Sequence, residues 1–201
     1  MIASYDKFKQ IIEDTKNAGV IYSYLNDYVK PPYDYSDLLR WQLAQAVSAL
    51  DKLIHDLVRI GMLEIFKGKR PITPKYQSFS VTLDVLNNIK LDPSQELSLI
   101  EKQIMLNNGY KSFQDPDKIA DALSLIWNES NKWEKIASTI GSNSSSVKTL
   151  LKNIVIRRNQ IVHEGDYNGY LFSRENILEA DVSAAVTFVE KLGQAIYTNV
   201  G

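Results

Sequence analysis

The segment DLLRWQLAQAVSALDKLIHDLVRIGMLEIF, residues 37–66, carries the reading that decides the fold class. Apolar side chains recur along it at Leu39, Leu43, Val47, Leu50, Ile54, Leu57, Val58 and Leu63. Their three- and four-residue spacing lays them along one side of a helix and fits no strand. Ser36 stands where a capping residue belongs. Lys67-Gly68-Lys69-Arg70-Pro71-Ile72-Thr73-Pro74 then breaks the helix and forms a basic loop.

Upstream, Phe8, Ile11, Ile12, Ile21, Tyr22 and Leu25 predict a helix from about Tyr5 to Tyr28, disturbed near Gly19 and stopped by Pro31-Pro32. Downstream, two shorter helices between Ser78 and Gly109 are parted by a turn at Leu91-Asp92-Pro93-Ser94. Asp115-Pro116-Asp117 opens another helix, with Ile119, Leu123 and Ile126 on one face, and Asn131 to Ile140 forms a further one closed by Gly141. The polar run Ser142-Asn143-Ser144-Ser145-Ser146 caps a helix that ends at Gly165, a residue suited to the left-handed terminating conformation. After a turn at Asp166-Tyr167-Asn168-Gly169, a last helix covers about Ala180 to Tyr197. Strand signals are scarce and no repeat or linker divides the chain. The expectation is a single all-α domain over residues 1–201, a helical bundle with two long helices early and two late.

Composition narrows the function. With 201 residues, 44% hydrophobic and 23% charged, the chain is of ordinary globular character, and a chain of this size buries roughly 70% of its unfolded surface. It has no cysteine, so it holds neither disulfides nor thiolate metal sites, and a reducing cytoplasm is the expected compartment. Charges interrupt every apolar run well short of the ~20 residues that a bilayer requires, and no secretory signal is visible. The 23 basic residues are matched by 24 acidic ones, so any contact with nucleic acid has to be local. Trp41, Trp127 and Trp133 lie in helical segments and are expected in the core rather than as stacking platforms.

The densest chemistry lies in Arg157-Arg158-Asn159-Gln160-Ile161-Val162-His163-Glu164-Gly165-Asp166. Val147, Leu150, Leu151, Ile154, Ile161 and Val162 define an apolar face of this helix, and Arg158 falls inside it, while Asn159 and His163 share the flanking edge. A lone guanidinium is costly to bury, so Arg158 should face a polar cleft or an interface. Cleaving an RNA phosphodiester without a metal takes a proton shuttle, a cation for the developing charge and a polar group that holds the geometry. Histidine, arginine and asparagine are residue types that supply them. Plainer readings stand beside this one. A histidine at a helix C-terminus is favoured by the macrodipole without any task, and Arg158 could pair with an acid from another helix. Arg157, on a different edge, reads as a phosphate or solvent contact. Glu164 and Asp166 could orient His163 or meet a partner, although acids at a helix end and turn are ordinarily solvated. His55, beside Asp56 and four residues from Asp51, reads as a surface or interhelical hydrogen bond. The Lys67, Lys69 and Arg70 loop reads as an RNA backbone contact or as a solvated helix end.

Arg158-x4-His163, with Asn159 next to the arginine, resembles the R-x4-6-H signature of HEPN domains, compact helical domains many of which are metal-independent endoribonucleases. The extended motif and the segment Leu39-Arg40-Trp41-Gln42-Leu43-Ala44-Gln45-Ala46-Val47-Ser48-Ala49-Leu50-Asp51 are similar to the RiboL-PSP-HEPN group. The resemblance implies a homodimer in which two motifs meet in one cleft, with Arg158, Asn159 and His163 catalytic and no metal or cofactor. It implies an RNA substrate cut by its own 2′-hydroxyl, a role as a toxin or antiviral effector, and a cognate antitoxin or other regulatory partner. Related toxins often carry a tyrosine two residues after the histidine. Here that position is Gly165, with Tyr167 beyond it, so regulation through that tyrosine is not implied. The competing expectation is a non-catalytic helical module that uses the same cleft to bind RNA, a nucleotide or a protein.

Overall fold

The computed structural model describes residues 1–167 and 173–201. In chain order these form α1 (Ile2–Tyr24), α2 (Asp37–Phe66), the single turn α3 (Pro74–Gln77), α4 (Leu83–Leu91), α5 (Glu96–Asn108), α6 (Pro116–Leu123), α7 (Lys132–Ile140), α8 (Ser144–Glu164) and α9 (Glu179–Val200). The described residues contain no strand beyond an isolated bridge between Tyr167 and Arg174. The all-α architecture follows from α2. At 30 residues it is about 45 Å long, and Leu39, Val47, Leu50, Ile54, Leu57 and Val58 on it are all 0% exposed. It packs against α1, α9, α8, α5 and α6, while α7 joins α8 to α9. None of the described helices is long and apolar enough to cross a membrane.

Several helix ends have a local cause. Asp115 accepts backbone N–H bonds from Asp117 and Lys118 with proline at the first position of α6, and Asn143 accepts from Ser146 to start α8. Gly141 and Gly165 close α7 and α8 with φ of 77° and 63°. The expected break near Gly19 is not there: α1 runs through it, and the glycine lets α1 lie close to Gln42 of α2, which a side chain at that position would crowd. The irregularity comes later, as a π-helical turn at Leu25–Val29, where Lys30 donates to the Leu25 carbonyl at 2.7 Å. Pro31 bars Lys30 from continuing the helix, and it takes φ 49° instead. Ser36 sits at the start of α2, but its hydroxyl accepts from Arg40 rather than from the backbone. Of the expected turn after Gly165, Asn168 and Gly169 lie outside the described residues.

Two apolar expectations change. Trp133 is buried and donates through Nε1 to the Pro116 carbonyl, and Trp127 packs partly buried against the core. Trp41 is instead 42% exposed, since the buried side of α2 there passes through Leu39, Leu43 and Val47. On α8, Val147, Leu151 and Ile154 are buried, whereas Leu150 and Val162 are 44% and 48% exposed. The covered stripe is therefore narrower than the apolar pattern.

Among the described glycines the tightest approach is at Gly193 of α9, where an added Cβ would overlap the ring of Phe8 from α1. Gly193→Ala is expected to destabilise the fold by about 1–3 kcal/mol through overpacking. Urea unfolding checks this, and a loss well under that range would mean that the α1–α9 contact is loose.

Candidate functional site

The buried residues of α8, Val147, Leu151 and Ile154, are spaced by four and three. Continued in that register, the inward positions are Arg158 and Ile161. Ile161 is half-buried against the core. Arg158 opens instead into a cleft of about 580 Å³ between α8 and residues 112–118, lined also by Asn159, His163, Lys118, Lys152 and Asp115. The structure thus brings the three expected catalytic residues to one cavity and adds two lysines that the sequence reading did not single out. For Lys152 the signal was available, since it stands seven residues, or two helical turns, before Asn159. Lys118 is nearby only because α6 folds against α8.

Arg158 Nη1 donates to Asn159 Oδ1 at 3.1 Å. Its Nε is buried and finds no acceptor among the described residues. A buried N–H without an acceptor costs about 1–3 kcal/mol, and an anion in the cleft would relieve that cost. His163, in the last turn of α8, is solvent-exposed and lies about 7.5 Å further along the axis. The cleft therefore presents a fixed cation, an amide and an accessible imidazole, the set needed to hold a phosphodiester and move a proton.

The wall opposite α8 is held by α2. Asp51 accepts the Phe113 amide at 2.5 Å and the Gln114 side-chain amide at 3.3 Å. His55 lies against the Phe113 ring, with centroids 4.4 Å apart, and its Nε2 meets the Lys111 carbonyl at 3.1 Å. His55 thus ties α2 to the segment between α5 and α6 and shapes the cleft without lining it.

Other expected contacts sit elsewhere. Arg157 turns away from the cleft to Asp166, with Nη1 2.5 Å from Oδ1 and Nη2 2.9 Å from Oδ2. There its guanidinium serves as a structural tie. Asp166, expected in solvent, is 0% exposed and also receives Arg40 Nε at 2.7 Å. Glu164 is exposed. The basic loop lies just past the far end of α2, about 45 Å from the end that meets Asp166. Within it, Arg70 donates to the Val200 carbonyl at 2.8 Å and pairs with Glu64 at 3.2 Å, closing the bundle, while Lys67 and Lys69 are exposed. Within one chain the loop and the motif do not form one surface.

A family model described as RiboL-PSP-HEPN matches residues 5–200. No curated protein matches the chain, and no solved structure does.

The hydrogen bonds from Asp51 give the cleft wall a local test. Asp51→Ala should cost about 1–3 kcal/mol by leaving the Phe113 amide unpaired. It should also speed hydrogen exchange at Phe113 and Gln114 more than in α9. Uniform acceleration across the chain would show that Asp51 contributes only to global stability.

Proposed function

The chain belongs to the RiboL-PSP-HEPN family, and we propose that it is a metal-independent endoribonuclease that cuts single-stranded or looped RNA in the cleft of Arg158, Asn159 and His163. The observation that carries this reading is that Arg158, alone among the six arginines, pairs with no carboxylate among the described residues while it opens into the cavity that holds His163. Arg40, Arg59, Arg70, Arg157 and Arg174 each have an acidic partner. In this mechanism the guanidinium of Arg158 holds the scissile phosphate and meets the charge that develops on its oxygens. His163 takes the proton of the substrate's 2′-hydroxyl, whose oxygen attacks the phosphorus as the bond to the 5′-oxygen breaks. The proton is returned to that leaving oxygen, and the products are a 2′,3′-cyclic phosphate and a 5′-hydroxyl. Asn159 orients the phosphate. Lys152 and Lys118 contact neighbouring phosphates. Unpaired RNA suits the mechanism because in-line attack needs a flexible backbone.

The working form in this reading is a homodimer whose two motifs meet. Leu150, Ile156 and Val162 are exposed on α8 around the site, Ile156 at 57%. The chain exposes 11268 Å², against roughly 9,600 Å² for a compact monomer of its mass. The exposed apolar side chains beside the site leave room for a partner at this helix, while the total area says only that the chain is less compact than an average monomer. A cytoplasmic nuclease acting on single-stranded RNA needs restraint, which fits a toxin or antiviral effector checked by an antitoxin or other regulatory protein.

The decisive experiment is cleavage of a mixed RNA pool in EDTA by the purified protein. His163→Ala and Arg158→Ala are each expected to lower the rate by about 10²-fold or more with the fold intact. Wild type should leave cyclic-phosphate ends and spare a 2′-deoxy linkage. Lys152→Ala should raise KM and reduce the salt dependence of binding by about one phosphate contact, with kcat little changed. RNA binding without cutting by the folded dimer would favour a non-catalytic binding module.

A further inference from the structure

The sequence after the motif helix holds a second arrangement that the chemistry above does not use. α8 stops at Gly165, and Asp166 follows it with φ 65°, a left-handed conformation uncommon outside glycine. This turn sends the carboxylate inward, where it is wholly buried. Oδ2 accepts from Arg40 Nε at 2.7 Å and from Arg157 Nη2 at 2.9 Å, and Oδ1 lies 2.5 Å from Arg157 Nη1. The backbone of Asp166 is bonded as well: its N–H donates to the Gln160 carbonyl and its carbonyl accepts from Glu175 at 2.8 Å. Both arginines reach onward, Arg40 to the Glu175 carbonyl and Arg157 to the Asn176 carbonyl. One carboxylate therefore joins the end of α8, the start of α2 and the segment before α9.

We propose that Asp166 is a positioning residue: through Arg157 and Arg40 it fixes the last two turns of α8 and so sets where His163 stands in the cleft. Arg157 immediately precedes Arg158, and Asp166 comes three residues after His163. The ion pair between them thus brackets the whole motif and ties both of its ends to the same buried point. A helix terminus ordinarily frays and has low local stability, whereas a proton-transferring side chain has to be held to a fraction of an ångström. Here the fraying end is the one that carries the imidazole, and it is fastened. Stability alone does not call for this arrangement, because a buried ion cluster is often no better than apolar packing of the same volume; its attested use is to specify one geometry. Asp166 is enclosed by its two arginines, so it acts on His163 through the backbone and not by touching RNA.

The proposal rests on His163 being the acid–base group, and the test separates the two claims. The chain has two histidines, so its imidazole spectrum contains only His55 and His163. Asp166→Asn and Arg157→Lys are compared with wild type by imidazole NMR and by cleavage kinetics in EDTA. In each variant the His163 signals should shift while those of His55 stay in place. The kcat should fall about tenfold or more with KM within about twofold. A folded Asp166→Asn protein with unchanged His163 signals and unchanged kcat overturns the proposal. If Asp166→Asn does not fold, Arg157→Lys, which keeps the charge but loses the two-pronged contact, decides by the same criteria. If wild type cuts no RNA, the NMR comparison alone decides: displacement confined to His163 upholds the positioning role while the nuclease reading fails.

Discussion

Covering α2 is the constraint from which the rest of the molecule follows. A 30-residue helix whose side chains are buried over most of its length cannot be served by one neighbour. α1 and α9 cover part of it, α8 another part, and α5 and α6 the remainder. The last of these matters most for function. Because α6 has to reach α2, residues 112–118 are drawn alongside α8, and the space left between them is the cleft. Asp51 and His55, on α2 itself, hold the wall that faces α8. The site is thus a by-product of how a long helix is enclosed.

α8 turns from scaffold to site along its own length. Its first three turns obey the core, with Val147, Leu151 and Ile154 inward. One step further in the same register comes Arg158, at a position that packing alone would give to leucine. The apolar stripe thus carries a cation to a place where its Nε is shielded from water yet lacks an acceptor among the described residues. A charge-bearing donor in such a setting binds an anion more strongly than one in open solvent, because the local dielectric is lower and little reorganisation is needed. His163, beyond it in the last turn, is exposed and so accessible for the proton transfer proposed for it.

What the sequence disclosed and what it withheld divide along the range of the interactions. The helices α2, α7 and α8 are encoded locally by periodicity, the start of α8 by the polar run that contains Asn143, and the ends of α7 and α8 by Gly141 and Gly165, and these were readable, whereas Ser36 does not cap α2. So was the anomaly of Arg158 on an apolar face. Gly19 misled because a glycine that permits close approach looks like one that breaks a helix; only the neighbouring Gln42 distinguishes them. Asp166 misled for the same kind of reason. An acid in a turn is usually solvated, and its burial depends on Arg40, 126 residues away in sequence. Lys118 and Arg70 likewise took their surroundings from elements distant in the chain.

The arginines give the last step, because they sort the charges of the fold by task. Arg40 and Arg157 share Asp166, Arg70 gathers Glu64 and the last carbonyls of the bundle, and Arg59 and Arg174 pair with Glu101 and Asp37. Each of these guanidiniums is neutralised within the chain, which is why a near-zero net charge says little about binding. Arg158 is treated differently: among the described residues its single bond goes to neutral Asn159. With Lys118 and Lys152 on the same cavity and only Asp115 opposing them, the cleft is a locally cationic place on a balanced molecule. Among the described residues every other arginine has an acid and Arg158 has none, which leaves that position open to a negative charge brought from outside, such as a phosphate oxygen pair that matches the planar guanidinium fork.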